Sequence, residues 1–87
     1  MGETENKEAM ENKTMRRTLY RVLRKTGVPR NEIELDASFN EDLNFDQLDW
    51  TLFIFYLENT FNISVNDEEI SRLCQVRDSL ELVKSIA

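Results

Sequence analysis

The sequence predicts an all-α domain of four helices, and three observations carry that prediction. Apolar residues recur with the helical period in three separate stretches, 15–26, 50–61 and 76–86. The 87 residues include only two glycines and one proline, little material for the tight turns of a β-protein. The alternating run Ile63-Ser64-Val65 has no second strand-like run to pair with. A chain of this size makes one domain around one core.

Residues 1–12, rich in Glu, Asn, Lys and Thr, read as a flexible lead-in, and 13–87 as the domain proper. From Lys13 the helical period begins. Met15, Leu19, Val22, Leu23 and Thr26 share one face, while Arg16, Arg17, Arg21 and Arg24 occupy the rest of the circumference. Gly27 and Pro29 end this helix, glycine at the left-handed cap and proline just beyond it. Residues 28–45 form a long connection. Its Ile33, Leu35, Phe39 and Leu43 predict a loop packed by its own side chains.

Asp46 reads as the N-cap of a second helix, with Asp49 three residues on as in a capping box. That helix runs to about Phe61 on a core stripe of Trp50, Phe53, Ile54, Leu57 and Phe61. After a polar break, Asn66-Asp67-Glu68-Glu69 caps a brief third helix carrying Ile70 and Leu73. A fourth helix from Val76 places Val76, Leu80, Val83 and Ile86 on one side.

Composition narrows the function. Hydrophobic content of 40% and charged content of 32% are those of an ordinary globular chain. No apolar run approaches the ~20 residues of a membrane span. The N-terminus has no signal-peptide core, and Asn6 stands where myristoylation needs Ser or Thr. A cytoplasmic location is expected. Without a single histidine, metal-dependent and triad-type hydrolysis lose their commonest ligand and base. One cysteine, Cys74, excludes an internal disulfide. Beside Leu73 and Val76 it reads as a buried or half-buried structural residue. No catalytic constellation and no metal site is expected.

The net charge of −6 is unevenly spread. Residues 1–30 hold eight Lys/Arg and four Glu, a net +4, whereas 31–87 hold three Lys/Arg and thirteen Asp/Glu, a net −10. Lys13 to Arg30 contains seven basic residues and no acid. The acidic part argues against nucleic acid and for a basic surface on a protein partner. The basic stripe is read first as a solvated helix face. A second docking surface, for an acidic partner or a phosphate-bearing ligand, is the sharper alternative.

The segment Phe39 to Asp49 carries a resemblance. Ala37-Ser38-Phe39, Glu41-Asp42-Leu43, Asp46, Leu48 and Asp49, then Leu57-Glu58, Phe61, Ile63, Val65 and the acidic run Asp67-Glu68-Glu69, are similar to the acyl carrier protein family. The likeness spans roughly Met15 to Ala87. It implies an acyl-carrier-protein-like four-helix bundle with a long loop between the first two helices and a short third helix. In that family an aspartate-serine-leucine triplet opens the second helix, and 4′-phosphopantetheine is esterified to the serine. Here the triplet reads Asp46-Gln47-Leu48. An amide is neither a hydroxyl nor a nucleophile toward the phosphate of coenzyme A, so no cofactor is expected. The family's preceding glycine corresponds to Asn44, which still tolerates a left-handed backbone. The threonine that often caps the last helix corresponds to Gln75, a poorer cap.

Three other hydroxyls, of Ser79, Thr51 and Ser38, are poor substitutes as attachment points. Asp78-Ser79-Leu80 repeats the triplet inside the last helix, with no chain left to build the helices that should follow. Thr51 lies one turn after Gln47. Ser38 belongs to the loop and turns or caps locally.

The resemblance therefore implies a non-enzymatic protein that has lost its attachment site and acts as a docking, regulatory or scaffolding partner. The other protein would be an acyltransferase, a synthase or another carrier, with no nucleic acid and no membrane involved. The contact is expected through Asp46, Gln47, Asp49, Leu52, Phe55 and Glu58. Leu52, Phe55 and Tyr56, within one turn of each other, read as a contiguous apolar patch, with scattered exposed side chains as the plainer reading. One alternative is a working carrier of fatty acid, polyketide or lipid biosynthesis loaded at a non-standard hydroxyl. A further alternative is an unrelated helical interaction module.

Overall fold

The structure, a computed structural model, describes the backbone of residues 2–86 and the side chains of residues 13–86. Four α-helices follow one another: α1 Gly2–Thr26, α2 Gln47–Phe61, α3 Asp67–Ser71 and α4 Val76–Ile86. A 3-10 turn, Arg30–Glu32, interrupts the long first connection, and no strand forms among the described residues. The all-α prediction holds. The backbone of α1 runs through 2–12, ahead of the Lys13 start that the apolar period marks. The side chains of the expected lead-in, 1–12, lie outside the described residues.

The core follows from the periodicities. Leu19, Val22 and Leu23 of α1 meet Phe53 and Leu57 of α2 and Val76, Leu80 and Val83 of α4. Thr26 is buried on the same face because its hydroxyl donates to the Val22 carbonyl at 2.9 Å. Gly27 takes φ +118°, and the amides of Gly27 and Val28 both reach back to the Leu23 carbonyl. This is the expected left-handed stop, which only glycine enters without strain.

The long connection is a packed element, as its apolar residues predict. Ile33, Ala37, Phe39 and Phe45 are buried with the helices. Phe39 lies among three rings, with centroids 5.1 Å from Phe45, 4.8 Å from Trp50 and 5.3 Å from Phe53. These pairs are tilted, and Phe45, Trp50 and Phe53 meet one another edge-on, a preferred aromatic geometry. They fix the end of the connection and the first turns of α2 as one body.

Four expectations from the sequence need correction. Cys74 is exposed, not buried. What the fold uses there is its backbone: the carbonyl accepts from Phe39 at 3.0 Å and the amide donates to Asp78 Oδ2 at 3.0 Å. Ile86 lies at the exposed end of α4. In the α2 stripe only Phe53 and Leu57 are buried, whereas Trp50, Ile54 and Phe61 are half-buried. A helix apolar on nearly every side cannot turn all of it inward in so small a bundle. Finally, α4 does not depend on Gln75 as a cap. The Asp78 carboxylate accepts from both Cys74 and Gln75 amides, and the carbonyls of Ala37 and Leu35 receive the amides of Val76 and Arg77. Gln75 instead donates its side-chain amide to the Asp36 carbonyl at 3.2 Å.

Candidate functional site: the start of α2 and its outer face

The entry to α2 is built by local chemistry. Asn44 takes φ 54°, the left-handed backbone that short amide side chains tolerate. The turn lets Phe45 donate its amide to the Phe39 carbonyl at 2.9 Å while its ring enters the core. Asp46 then caps the helix. Its Oδ1 accepts from the Asp49 amide at 2.8 Å, and Asp49 Oδ2 accepts from the Asp46 amide at 3.1 Å. This reciprocal box satisfies two otherwise orphaned donors, and both carboxylates sit at the positive end of the helix dipole.

Gln47 is the first residue of α2 and is exposed. Its backbone carbonyl accepts from the Thr51 hydroxyl one turn later, at 2.9 Å. Beside Gln47 a shallow cleft of about 290 Å³ opens between α2 and α3. Trp50, Ile54, Phe55 and Ile70 give it apolar walls, and Thr51 and Glu58 line its rim.

The six residues expected to make the contact fall into two groups. Asp46, Gln47, Leu52 and Phe55 lie along the outward side of α2, with Leu52 half-buried and Phe55 58% exposed. Asp49 and Glu58 are half-buried and already engaged. Asp49 closes the capping box, and Glu58 Oε2 accepts from the Val65 amide at 2.7 Å, tying the α2–α3 link to the helix. Tyr56 turns toward α1, where Lys25 Nζ lies 5.9 Å from its ring centroid. It leaves the expected patch. Leu48 joins it, the most exposed large apolar side chain among the described residues at 65%. Sequence reasoning passed over Leu48 as a motif letter. Its position on the helical wheel beside Leu52 and Phe55 was the available signal.

Ser79 is fully buried in α4, and its Oγ has no hydrogen-bond partner. Ser38 Oγ accepts from the Glu41 amide at 3.1 Å, capping the loop as expected. Among the described residues no group of three or more His, Cys, Asp or Glu could hold a metal ion. Nor is any helix among them long and apolar enough to cross a membrane.

Helix order, packed connection and an aspartate-capped α2 together define a carrier-type domain. Comparison with known proteins agrees. The family described as phosphopantetheine attachment site matches residues 19–83. An acyl carrier protein of Nitratidesulfovibrio vulgaris strain Miyazaki F is 33% identical over 64 residues, covering 74% of this chain and 84% of that protein. One from Beutenbergia cavernae is 31% identical over 62 residues, covering 71% and 76%. The chain belongs to the acyl carrier protein family. Carriers of this family are not themselves enzymes, in line with the reading of the sequence.

Proposed function

We propose that this carrier-family domain carries no phosphopantetheine arm and acts as a docking partner of an acyl-transfer or synthase enzyme, or of another carrier. One observation carries the reading: the side chain at the first position of α2, directly after the capping aspartate, is the amide of Gln47. The family's prosthetic group needs a hydroxyl there to form its phosphodiester. Gln47 offers none, and the neighbouring hydroxyls do not replace it. Thr51 is bonded back to the helix, Ser79 is buried, and Ser38 serves the loop. The prosthetic group does not fit this helix start as a covalent passenger.

What remains is the surface on which family members meet their enzymes. Here it comprises Gln47, Leu48, Leu52 and Phe55, with the exposed carboxylate of Asp46 at its head. Exposed aromatic and aliphatic side chains gathered on one face characterise the centre of a protein interface. A role without acyl cargo is regulatory or scaffolding: the domain occupies a site that a loaded carrier would otherwise use. A cytoplasmic setting accompanies this reading.

The test is intact mass before and after incubation with a broad-specificity phosphopantetheinyl transferase and coenzyme A. An unchanged mass is expected for the natural chain, and one added phosphopantetheine for Gln47→Ser. A gain on the natural chain would instead make it a working carrier. Fragmentation would then locate the arm at Thr51, Ser79 or Ser38.

A further inference from the structure

The arginines of α1 do not simply ring a solvated helix. Arg17, Arg21 and Arg24 recur at i, i+4 and i+7, so they stand one above another along one side. Beyond the Gly27 stop the chain folds back, and Arg30 of the 3-10 turn comes to face them. Arg17, Arg21, Arg24 and Arg30 line a concavity of about 260 Å³ together with the half-buried Tyr20 and the buried Ile33. No carboxylate lines it. Among the described residues, neither of the two ion pairs present involves any of the four arginines. The helix dipole accounts for Arg24, which lies in the last turn of α1. It does not account for Arg17, Arg21 or Arg30.

The larger basic hollow between α1 and α4 provides a contrast. Lys13, Arg16, Arg77 and Lys84 line it, but Glu81 lies among them and pairs with Lys84 at 3.7 Å. That hollow neutralises part of its own charge. The arginine cleft does not.

We propose that this cleft is a binding site for a compact, multiply charged phosphoryl anion such as a diphosphate or a phosphomonoester. Guanidinium groups are planar forks that match phosphate oxygens two at a time and keep their charge at every physiological pH. Four of them brought together repel one another. A single carboxylate would offset only part of that repulsion, whereas a diphosphate supplies charge and acceptors for several forks at once. Tyr20, which lines the same cleft, carries a hydroxyl that can also donate. Bringing Arg30 across from a separate element makes the site concave, which suits a small ligand better than a flat peptide.

The experiment titrates inorganic pyrophosphate into the full chain, followed by backbone amide NMR and calorimetry. Saturable one-to-one binding is expected, with shifts confined to residues 17–33. Arg21→Gln and Arg30→Gln should each weaken it by about tenfold, the loss of one charge-assisted fork. Arg72→Gln, at the C-cap of α3 and paired with Glu68 at 2.9 Å, should leave it unchanged. Circular dichroism confirms that each variant folds. Linear, non-saturating shifts would overturn the site, as would an equal loss in Arg72→Gln. A parallel arm uses vesicles containing phosphatidic acid. Retention on these vesicles without affinity for soluble pyrophosphate would also overturn the proposal, because it would make the arginines a diffuse membrane-facing patch.

Discussion

Ser79 sits fully buried in α4 with an oxygen that finds no partner. A buried hydroxyl without a hydrogen bond is destabilising, and alanine is the better helix former. Ser79→Ala should therefore raise stability by about 1 kcal/mol, read as a higher urea midpoint at constant slope. An unchanged or lower midpoint would mean that the hydroxyl is satisfied in solution. Phe39 is the opposite case, a fully buried ring touching three others. Phe39→Ala leaves a cavity at the junction of connection and α2 and should cost about 3–5 kcal/mol, a large part of the stability of a domain this small. Thermal denaturation measures it, and a loss below about 1 kcal/mol would show that the aromatic cluster is dispensable. Only Phe39's position in an apolar-studded loop hinted at this role. Its ring partners lie 6, 11 and 14 positions away in sequence, beyond the reach of local patterning.

At the scale of elements, the two aspartate caps differ. Asp46 accepts one amide in an exposed box, whereas the half-buried Asp78 accepts two from the residues leading into α4. Asp46→Ala should cost about 1 kcal/mol and Asp78→Ala about 2 kcal/mol, compared by chemical denaturation. Equal costs would contradict the double acceptance at Asp78. The α2 box was legible because Asp46 and Asp49 have the spacing of the motif, and Asn66 with Glu69 repeats it at α3. The α4 cap was not. Half of its partners are carbonyls of residues 35–37, brought there by the fold of the connection. Gln75 looked like a weak cap because sequence shows the residue at the boundary and not the chain that packs across it.

For the molecule as a whole, the proposed docking role rests on the exposed apolar side chains of α2. Leu48→Glu and Phe55→Glu place charge on the two most exposed large apolar side chains among the described residues and should leave helical circular dichroism unchanged. Binding to a cognate synthase or carrier should fall by at least about tenfold in each, as expected for central interface residues. Tyr56→Glu should behave differently. The ring packs beside Phe55 at 5.7 Å and under Lys25, so its loss should lower stability by about 1 kcal/mol while acting on binding only indirectly. Undiminished binding by both Leu48→Glu and Phe55→Glu would remove α2 from the account.

The sequence by itself determined the class of fold, the helix stop at Gly27, the α2 cap and the amide at position 47, because each depends on residues within a few positions of one another. It also determined the family, whose pattern is a register of such local features. Tertiary structure decided which apolar side chains of α2 stay outside: Leu48 and Phe55 remain exposed while Tyr56 is covered by Lys25 of α1. It decided that Cys74 is exposed, since only the backbone there is needed by the connection. And it brought Arg30 opposite Arg17, Arg21 and Arg24, a juxtaposition set by how the chain folds back after Gly27. The physical reason is the same in each case. Periodicity fixes the direction of a side chain on its own helix, but what stands in front of that side chain is set by another element.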